Sequence, residues 1–259
     1  MGELVFIGLG LHDEKGVTLR GLDEARAADI IFAEFYTSAL LGTRLAAVES
    51  LIDKPVRRLN RNQVETATEI LDAARDHRVA FLVAGDPMVA TTHVDLRLRA
   101  AAAGIPTRIV HGVSIQSAAA GALGLQAYKF GRTTTVPFPS PGFHPTSPLD
   151  PIRENRRAGL HTLVLLDLRE DGTFLDPKEA IGSLLDMAKA VSAEEFGPDT
   201  FVCVLSRVGS PDSRIVSGRA ADVMTKDLGP PLHCLVVPGS LHFLEKDALV
   251  AFAGAPHDL

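Results

Sequence analysis

Cysteine is nearly missing from the 259 residues. Cys203 and Cys234 each lie inside an apolar, strand-like run, which excludes a disulfide framework and implies buried free thiols. The nine histidines form no His-Glu-x-x-His and there is no Cys-x-x-Cys, so no metal site is expected. No apolar run reaches about 18 residues, and no charged N-terminal stretch leads into an apolar segment with a cleavage site. The expectation is a cytoplasmic protein without a membrane partner. Basic residues are fewer than acidic ones, 26 against 32, and the net charge of −6 speaks against direct nucleic-acid binding, which needs a basic face for the phosphates. Tryptophan is absent, 46% of residues are hydrophobic and 22% are charged. That is the composition of a soluble α/β protein, long enough for one large core or two domains of about 110 to 150 residues.

One more absence narrows the reading. Gly8-Leu9-Gly10 ends the first apolar strand, but the third glycine of a dinucleotide fingerprint would stand at position 13, which is Asp13. Glu34, at the end of the second strand, resembles the ribose-binding acid of such folds in position only. The glycines instead let a cofactor lie against the backbone near Leu11.

What is present centres on Phe81-Leu82-Val83-Ala84-Gly85-Asp86-Pro87-Met88-Val89-Ala90-Thr91-Thr92-His93. A buried strand stops at a glycine, an acid and a proline, so a tight turn holds the Asp86 carboxylate at the strand's end, next to small residues. Around it, strands and helices alternate. Strands are predicted at 4–9, 29–34, 56–59, 78–83 and 107–111. Helices are predicted at 18–28, 42–51 and 62–77, the last opened by a capping-box-like Asn62 and Glu65, with a further helix after the strand at 78–83 that stops at Gly104 and another opened by Ser114. A βα repeat gives a mostly parallel sheet, whose strands all end on one edge. Gly10-Leu11, Asp86 to Val89 and Ser114-Ile115 should therefore converge on one ligand, although Ser114 equally suits a helix N-cap.

Beyond a boundary placed near residues 112 to 127, Thr133 to His144 is rich in Pro, Thr and Ser and reads as an ordered loop with little regular structure. Helices follow at 151–157, from Asp176-Pro177-Lys178-Glu179, and at 243–252, with strands at 161–166, 200–205, 214–217 and 233–237. The domains are read as 1–118 and 119–259.

The central stretch, together with Phe6-Ile7-Gly8-Leu9-Gly10-Leu11, Phe32-Ala33-Glu34-Phe35-Tyr36-Thr37-Ser38, Tyr128-Lys129-Phe130-Gly131, Gly159-Leu160-His161-Thr162-Leu163, Val237-Pro238-Gly239-Ser240-Leu241-His242 and Ala253-Gly254-Ala255-Pro256, resembles the diphthine synthase family of the tetrapyrrole-methylase superfamily. The resemblance runs nearly end to end. It implies two αβα domains with a cofactor cleft between them. It also implies S-adenosylmethionine as methyl donor, with S-adenosylhomocysteine as product, and a homodimer. The acceptor it implies is the amino group of a 3-amino-3-carboxypropyl-histidine on translation elongation factor 2, methylated to diphthine in diphthamide biosynthesis.

The donor contacts the resemblance implies are Leu11, Asp86, Val89, Ser114, Ile115, Leu166, Val208 and His233. Leu166 and Val208 lie at or just past strand ends, whereas His233 begins its strand. They share an edge only if the last strand runs against the other two, so the second sheet is expected to be mixed. Val208 stands where the family usually has alanine, and Ala84 and Leu232 where it usually has proline. Because the acceptor ammonium must lose a proton, His93, Glu34 and Tyr36 are candidates to take it, alongside solvent, and no catalytic base is assigned. Lys129 and Arg132 are candidates for the substrate carboxylate. A sister enzyme methylating a tetrapyrrole carbon or a ribosomal RNA ribose, and a binding module without catalysis, are the alternatives.

Overall fold

A computed structural model describes residues 2–140, 142, 145–169, 171–257 and 259. The chain divides into two compact units, Met1–Ile115 with Arg169–Gly172, and Gln116–Leu168 with Thr173–Leu259.

In the first unit, β1 (Glu3–Gly8), β2 (Ile30–Glu34), β3 (Arg57–Leu59), β4 (Arg78–Val83) and β5 (Thr107–Val110) form a sheet of order β3-β2-β4-β1-β5, every pair parallel. The near-continuous apolar runs of β1 and β4 follow from burial on both faces, because successive side chains point to opposite sides. Leu4, Phe6, Phe32 and Phe81 pack on one face. Beneath them lie α3 (Arg61–Thr66), α4 (Thr68–Asp76) and α5 (His93–Ala102) through Val64, Ile70 and Leu96. Val5, Ile7, Ile31 and Leu82 pack on the other, against Ala25 of α1 (Leu19–Ala27) and Val48 and Ile52 of α2 (Leu45–Ile52). This gives three layers.

One local expectation is corrected. The capping box is formed by Asn60 and Gln63, whose backbone and side-chain groups bond reciprocally at 2.9 Å, not by Asn62 and Glu65. The predicted single helix is also broken at Ala67, which adopts φ 59 between α3 and α4. Val64 and Ile70, six residues apart, would lie about 120° apart around one continuous helix. The break lets both reach the same core.

In the second unit, α6 (Ile115–Leu123, whose first residue still belongs to the first unit) leads to β6 (Thr134–Val136), α7 (Leu149–Arg157) and β7 (Thr162–Leu166). Then come α8 (Pro177–Ala190), β8 (Phe201–Ser206), β9 (Arg214–Arg219), α9 (Ala220–Val223), β10 (His233–Val237) and α10 (Phe243–Ala253). The sheet order is β6-β7-β10-β8-β9. β10 is antiparallel to both β7 and β8, and β6 is parallel to β7, so the sheet is mixed, as a shared edge for Leu166, Val208 and His233 required. β6 lies within the stretch read as irregular. Pro141, Phe143 and His144 of that stretch lie outside the described residues.

Asp176 caps α8 as its sequence implied, accepting a bond from the Lys178 N–H at 2.7 Å, with Pro177 in the first turn. Both cysteines are buried, and burial pushes their thiols up, that of Cys234 to about 12. Among the described residues no helix is long and apolar enough to cross a membrane.

Candidate functional site

Because β4, β1 and β5 are parallel neighbours, the segments leaving them emerge on one edge, and backbone contacts tie them together. Gly10 and Gly85 exchange N–H···O bonds of 3.2 and 2.6 Å. A Cβ on Gly8 would stand 2.5 Å from both the Gly112 nitrogen and the Gly85 oxygen, and one on Gly112 would run into the Gly85 carbonyl. Glycine is required at Gly8 and Gly112 because three backbones meet there without a side chain between them.

The Asp86 carboxylate completes the knot. It is 7% exposed; one oxygen accepts from the Met88 N–H at 2.9 Å, and the other from the Gly112 N–H at 3.3 Å and from His111 Nδ1 at 2.7 Å. A carboxylate offers about four lone-pair sites, so the described residues engage three and leave one for a ligand. Leu11, Val89, Ser114 and Ile115 flank these contacts in sequence. The five first-unit candidates are thus gathered on one edge, with Ser114 buried and directly preceding α6. His111 and the Gly112 N–H went unremarked in the sequence. The available signal was a titratable residue directly past the end of β5 on the same edge.

One strand further along this edge lies a second cluster. Glu34, fully buried at the end of β2, accepts from the Tyr36 and Thr37 N–H groups at 2.9 and 3.1 Å, and its other oxygen accepts from the Thr37 hydroxyl. Fully buried and turned to its own loop, this carboxylate does not reach a ribose, which removes the dinucleotide reading of Glu34. His93, 1% exposed, opens α5. Its Nδ1 lies 2.9 Å from the Pro87 carbonyl, its ring meets Phe81 edge-to-face, and its Nε2 faces Glu34 at 3.7 Å. Burial pushes its pKa down, against the Glu34 charge and the Pro87 bond, which push it up.

In the second unit, the antiparallel course of β10 sets His233 opposite Ser206 at the end of β8. The Arg207 N–H bonds the Leu232 carbonyl at 2.8 Å, which places Val208 just beyond that end, and Leu166 closes β7 on the same edge. The three second-unit candidates therefore share an edge. His233 Nε2 lies 3.1 Å from the Gly229 carbonyl, and burial lowers its pKa.

Lys129 is not available to a substrate carboxylate in the way the sequence suggested. Its ammonium bonds Glu245 and, at 2.6 Å, the Ser240 carbonyl. Glu245, 1% exposed, also accepts from the Gln126 and His242 N–H groups and from His161 Nε2 at 3.0, 2.9 and 3.0 Å. His161 Nδ1 accepts from the Gly239 N–H at 3.0 Å, which fixes the tautomer and leaves the ring neutral. Arg132, by contrast, pairs at the surface with Glu154.

Burial lowers the pKa of His93, His161 and His233 alike. A base whose folded pKa lies below its unfolded value contributes stability that is complete above the unfolded value, near 6.5, and is lost as pH falls toward the folded one. The urea midpoint should therefore hold near pH 7 to 8 and start to decline below about 6.5. A midpoint constant down to pH 5 would contradict this. Among the described residues no group of three or more His, Cys, Asp or Glu could hold a metal ion.

Comparison with known proteins places this architecture. The profile of the family described as Tetrapyrrole (Corrin/Porphyrin) Methylases matches residues 3–224. The diphthine synthase of Halobacterium salinarum is 48% identical over 260 residues, covering 98% of this chain and 99% of that protein. The diphthine synthase of Methanosarcina mazei is 46% identical over 262 residues, covering 99% and 98%. A crystal structure of a diphthine synthase superposes with a TM-score of 0.90 at 35% identity, covering 99% of this chain and 98% of the other.

Proposed function

The chain belongs to the tetrapyrrole methylases and, within them, to the diphthine synthases, methyltransferases of diphthamide biosynthesis, and from that premise we propose the identity of its donor, acceptor and site. The donor is S-adenosylmethionine. The acceptor is the amino group of the 3-amino-3-carboxypropyl-histidine of translation elongation factor 2, which becomes diphthine. What supports the reading is similarity over 98% of the chain at 48% identity, together with a sheet edge on which backbone bonds between Gly10 and Gly85 tie the loops after β1 and β4, and the buried Asp86 carboxylate ties the loops after β4 and β5.

Methyl transfer from a sulfonium is an in-line displacement, so the protein's task is to align donor and acceptor and exclude water. The reading assigns donor contacts to Leu11, Asp86, Val89, Ser114 and Ile115 of the first unit and to Leu166, Val208 and His233 of the second. The chemistry of the first set fits such a ligand. Backbone groups at Gly10, Gly85 and Gly112 can approach it closely, the free lone pair of Asp86 can accept from a ribose hydroxyl or an ammonium, and apolar Leu11, Val89 and Ile115 suit the rest. A homodimer in the cytoplasm completes the proposal.

The test is incubation of the purified protein with methyl-labelled donor and elongation factor 2 carrying the unmethylated intermediate. Label on the modified histidine is the expected result. Donor binding without transfer would favour a binding module and overturn the proposal.

A further inference from the structure

The strings Phe35-Tyr36-Thr37-Ser38 and Ala90-Thr91-Thr92-His93 are far apart in sequence, yet the fold brings them together through a single oxygen. Glu34 Oε1 accepts the Thr37 hydroxyl and faces His93 Nε2 at 3.7 Å. Burial is graded along this line: Thr37 is half-buried, whereas Glu34 and His93 are 0% and 1% exposed. Only the Thr37 end is open to a ligand.

The His93 tautomer follows from its other bond. A carbonyl only accepts, so Nδ1 carries the proton that it donates to Pro87 at 2.9 Å, and Nε2 of the neutral ring presents a lone pair. That nitrogen makes no hydrogen bond to any described residue. A buried lone pair thus faces a carboxylate oxygen with no proton between them, an arrangement that one added proton would convert into an imidazolium–carboxylate contact after a shift of less than about 1 Å.

We infer that Thr37, Glu34 and His93 form the path by which the acceptor ammonium loses its proton, with Thr37 meeting the substrate and the other two acting through it. The inference rests on the amine acceptor proposed above. The ammonium N–H bond breaks and its proton goes to Thr37 Oγ, whose own proton passes to Glu34 Oε1 and on to His93 Nε2. Ammonium, carboxylate and neutral imidazole become amine, carboxylate and imidazolium, so the net charge is unchanged. The amine lone pair then takes the methyl group as the carbon–sulfur electrons return to sulfur. Running the path backwards between turnovers returns the stored proton to solvent.

Its position agrees with this role. β2 neighbours β4 in the sheet, so Thr37 leaves the sheet one strand from Asp86, and His93 grips the carbonyl of the residue after Asp86. The charge facing the ring comes from Glu34 on β2. β4 contributes neutral Phe81, Asp95 on the same helix is exposed, Asp86 is turned to His111, and Arg61 lies over the Tyr36 ring at 5.3 Å.

The experiment measures kcat against pH, and donor affinity by calorimetry, for the full chain with elongation factor 2 carrying the intermediate. An inactive wild type would refute the function itself. With wild-type transfer established, Thr37→Val should lower kcat about 100-fold near pH 7. Donor affinity should be unchanged, the penalty should shrink as alkaline pH frees the amine, and Thr37→Ser should restore the rate. His93→Asn keeps a donor for Pro87 but removes Nε2, and should show the same pH-dependent loss; it decides the matter if Thr37→Val does not fold. A wild-type kcat, a loss that tracks donor affinity, or a loss independent of pH would each overturn the inference.

Discussion

Replacing Glu245 with alanine is expected to destabilise the second unit by about 3–5 kcal/mol, the usual cost of removing one partner from a buried ion pair. The carboxylate is 1% exposed and serves four donors: the Lys129 ammonium, His161 Nε2 and the Gln126 and His242 N–H groups. Alanine would leave the Lys129 cation with the Ser240 carbonyl but no counter-charge, and a ring N–H and two amides without an acceptor, in the place where α10, the short turn Ala127–Lys129 and the start of β7 are joined. Burial raises the Glu245 pKa, but the bonds from Lys129, Gln126, His242 and His161 outweigh it and hold the group down to about 2, from an ordinary 4.5.

The sign of the pH effect follows. A carboxyl whose folded pKa is depressed contributes stability that is complete above its unfolded value and is lost as pH falls from there toward about 2. At neutral pH this linkage amounts to about 3 kcal/mol, in line with the mutational range. Urea unfolding at pH 7 followed by far-UV circular dichroism should show the loss for Glu245→Ala. In Lys129→Met the penalty for removing Glu245 should be smaller, because the stranded cation is gone. A shift under about 1 kcal/mol in Glu245→Ala would mean that the network is not what joins these segments.

Asp86→Ala should weaken donor binding by about 1.5–3 kcal/mol, roughly 10- to 150-fold, the range for losing a hydrogen bond to a charged group. The carboxylate has two tasks that the variant would remove together. It holds the Met88 and Gly112 N–H groups, and so the spacing between the loops after β4 and β5, and it keeps one lone pair for a ligand. His111→Ala leaves both tasks in place and removes only the third bond to the carboxylate. That side chain is 70% exposed, and an exposed pair contributes little, so donor affinity should change by less than about 1 kcal/mol. Calorimetry returning wild-type affinity for Asp86→Ala would remove Asp86 from the site.

The sequence alone determined much of what depends on neighbours a few residues apart. Alternating βα segments required a parallel first sheet, and Gly85-Asp86-Pro87 required a turn at the end of β4. Asp176-Pro177 marked the start of α8, because an N-cap bond spans only two or three residues. The capping box was the near miss. Both Asn60 and Asn62 are followed three residues later by a Gln or Glu, and only the packing of Val64 against the core selects Asn60.

Tertiary structure decided the partners of polar groups. Lys129 and Glu245 are 116 residues apart, His161 and Glu245 are 84, and Asp86 and His111 are 25. From the family resemblance, Lys129 was a candidate substrate cation and His161 part of a motif without a role. Burial changed both, since a charge removed from water must find its counter-charge wherever the chain path brings one, and no local pattern encodes that meeting. The same holds for Thr37, Glu34 and His93, which become one array only because β2 and β4 are adjacent strands.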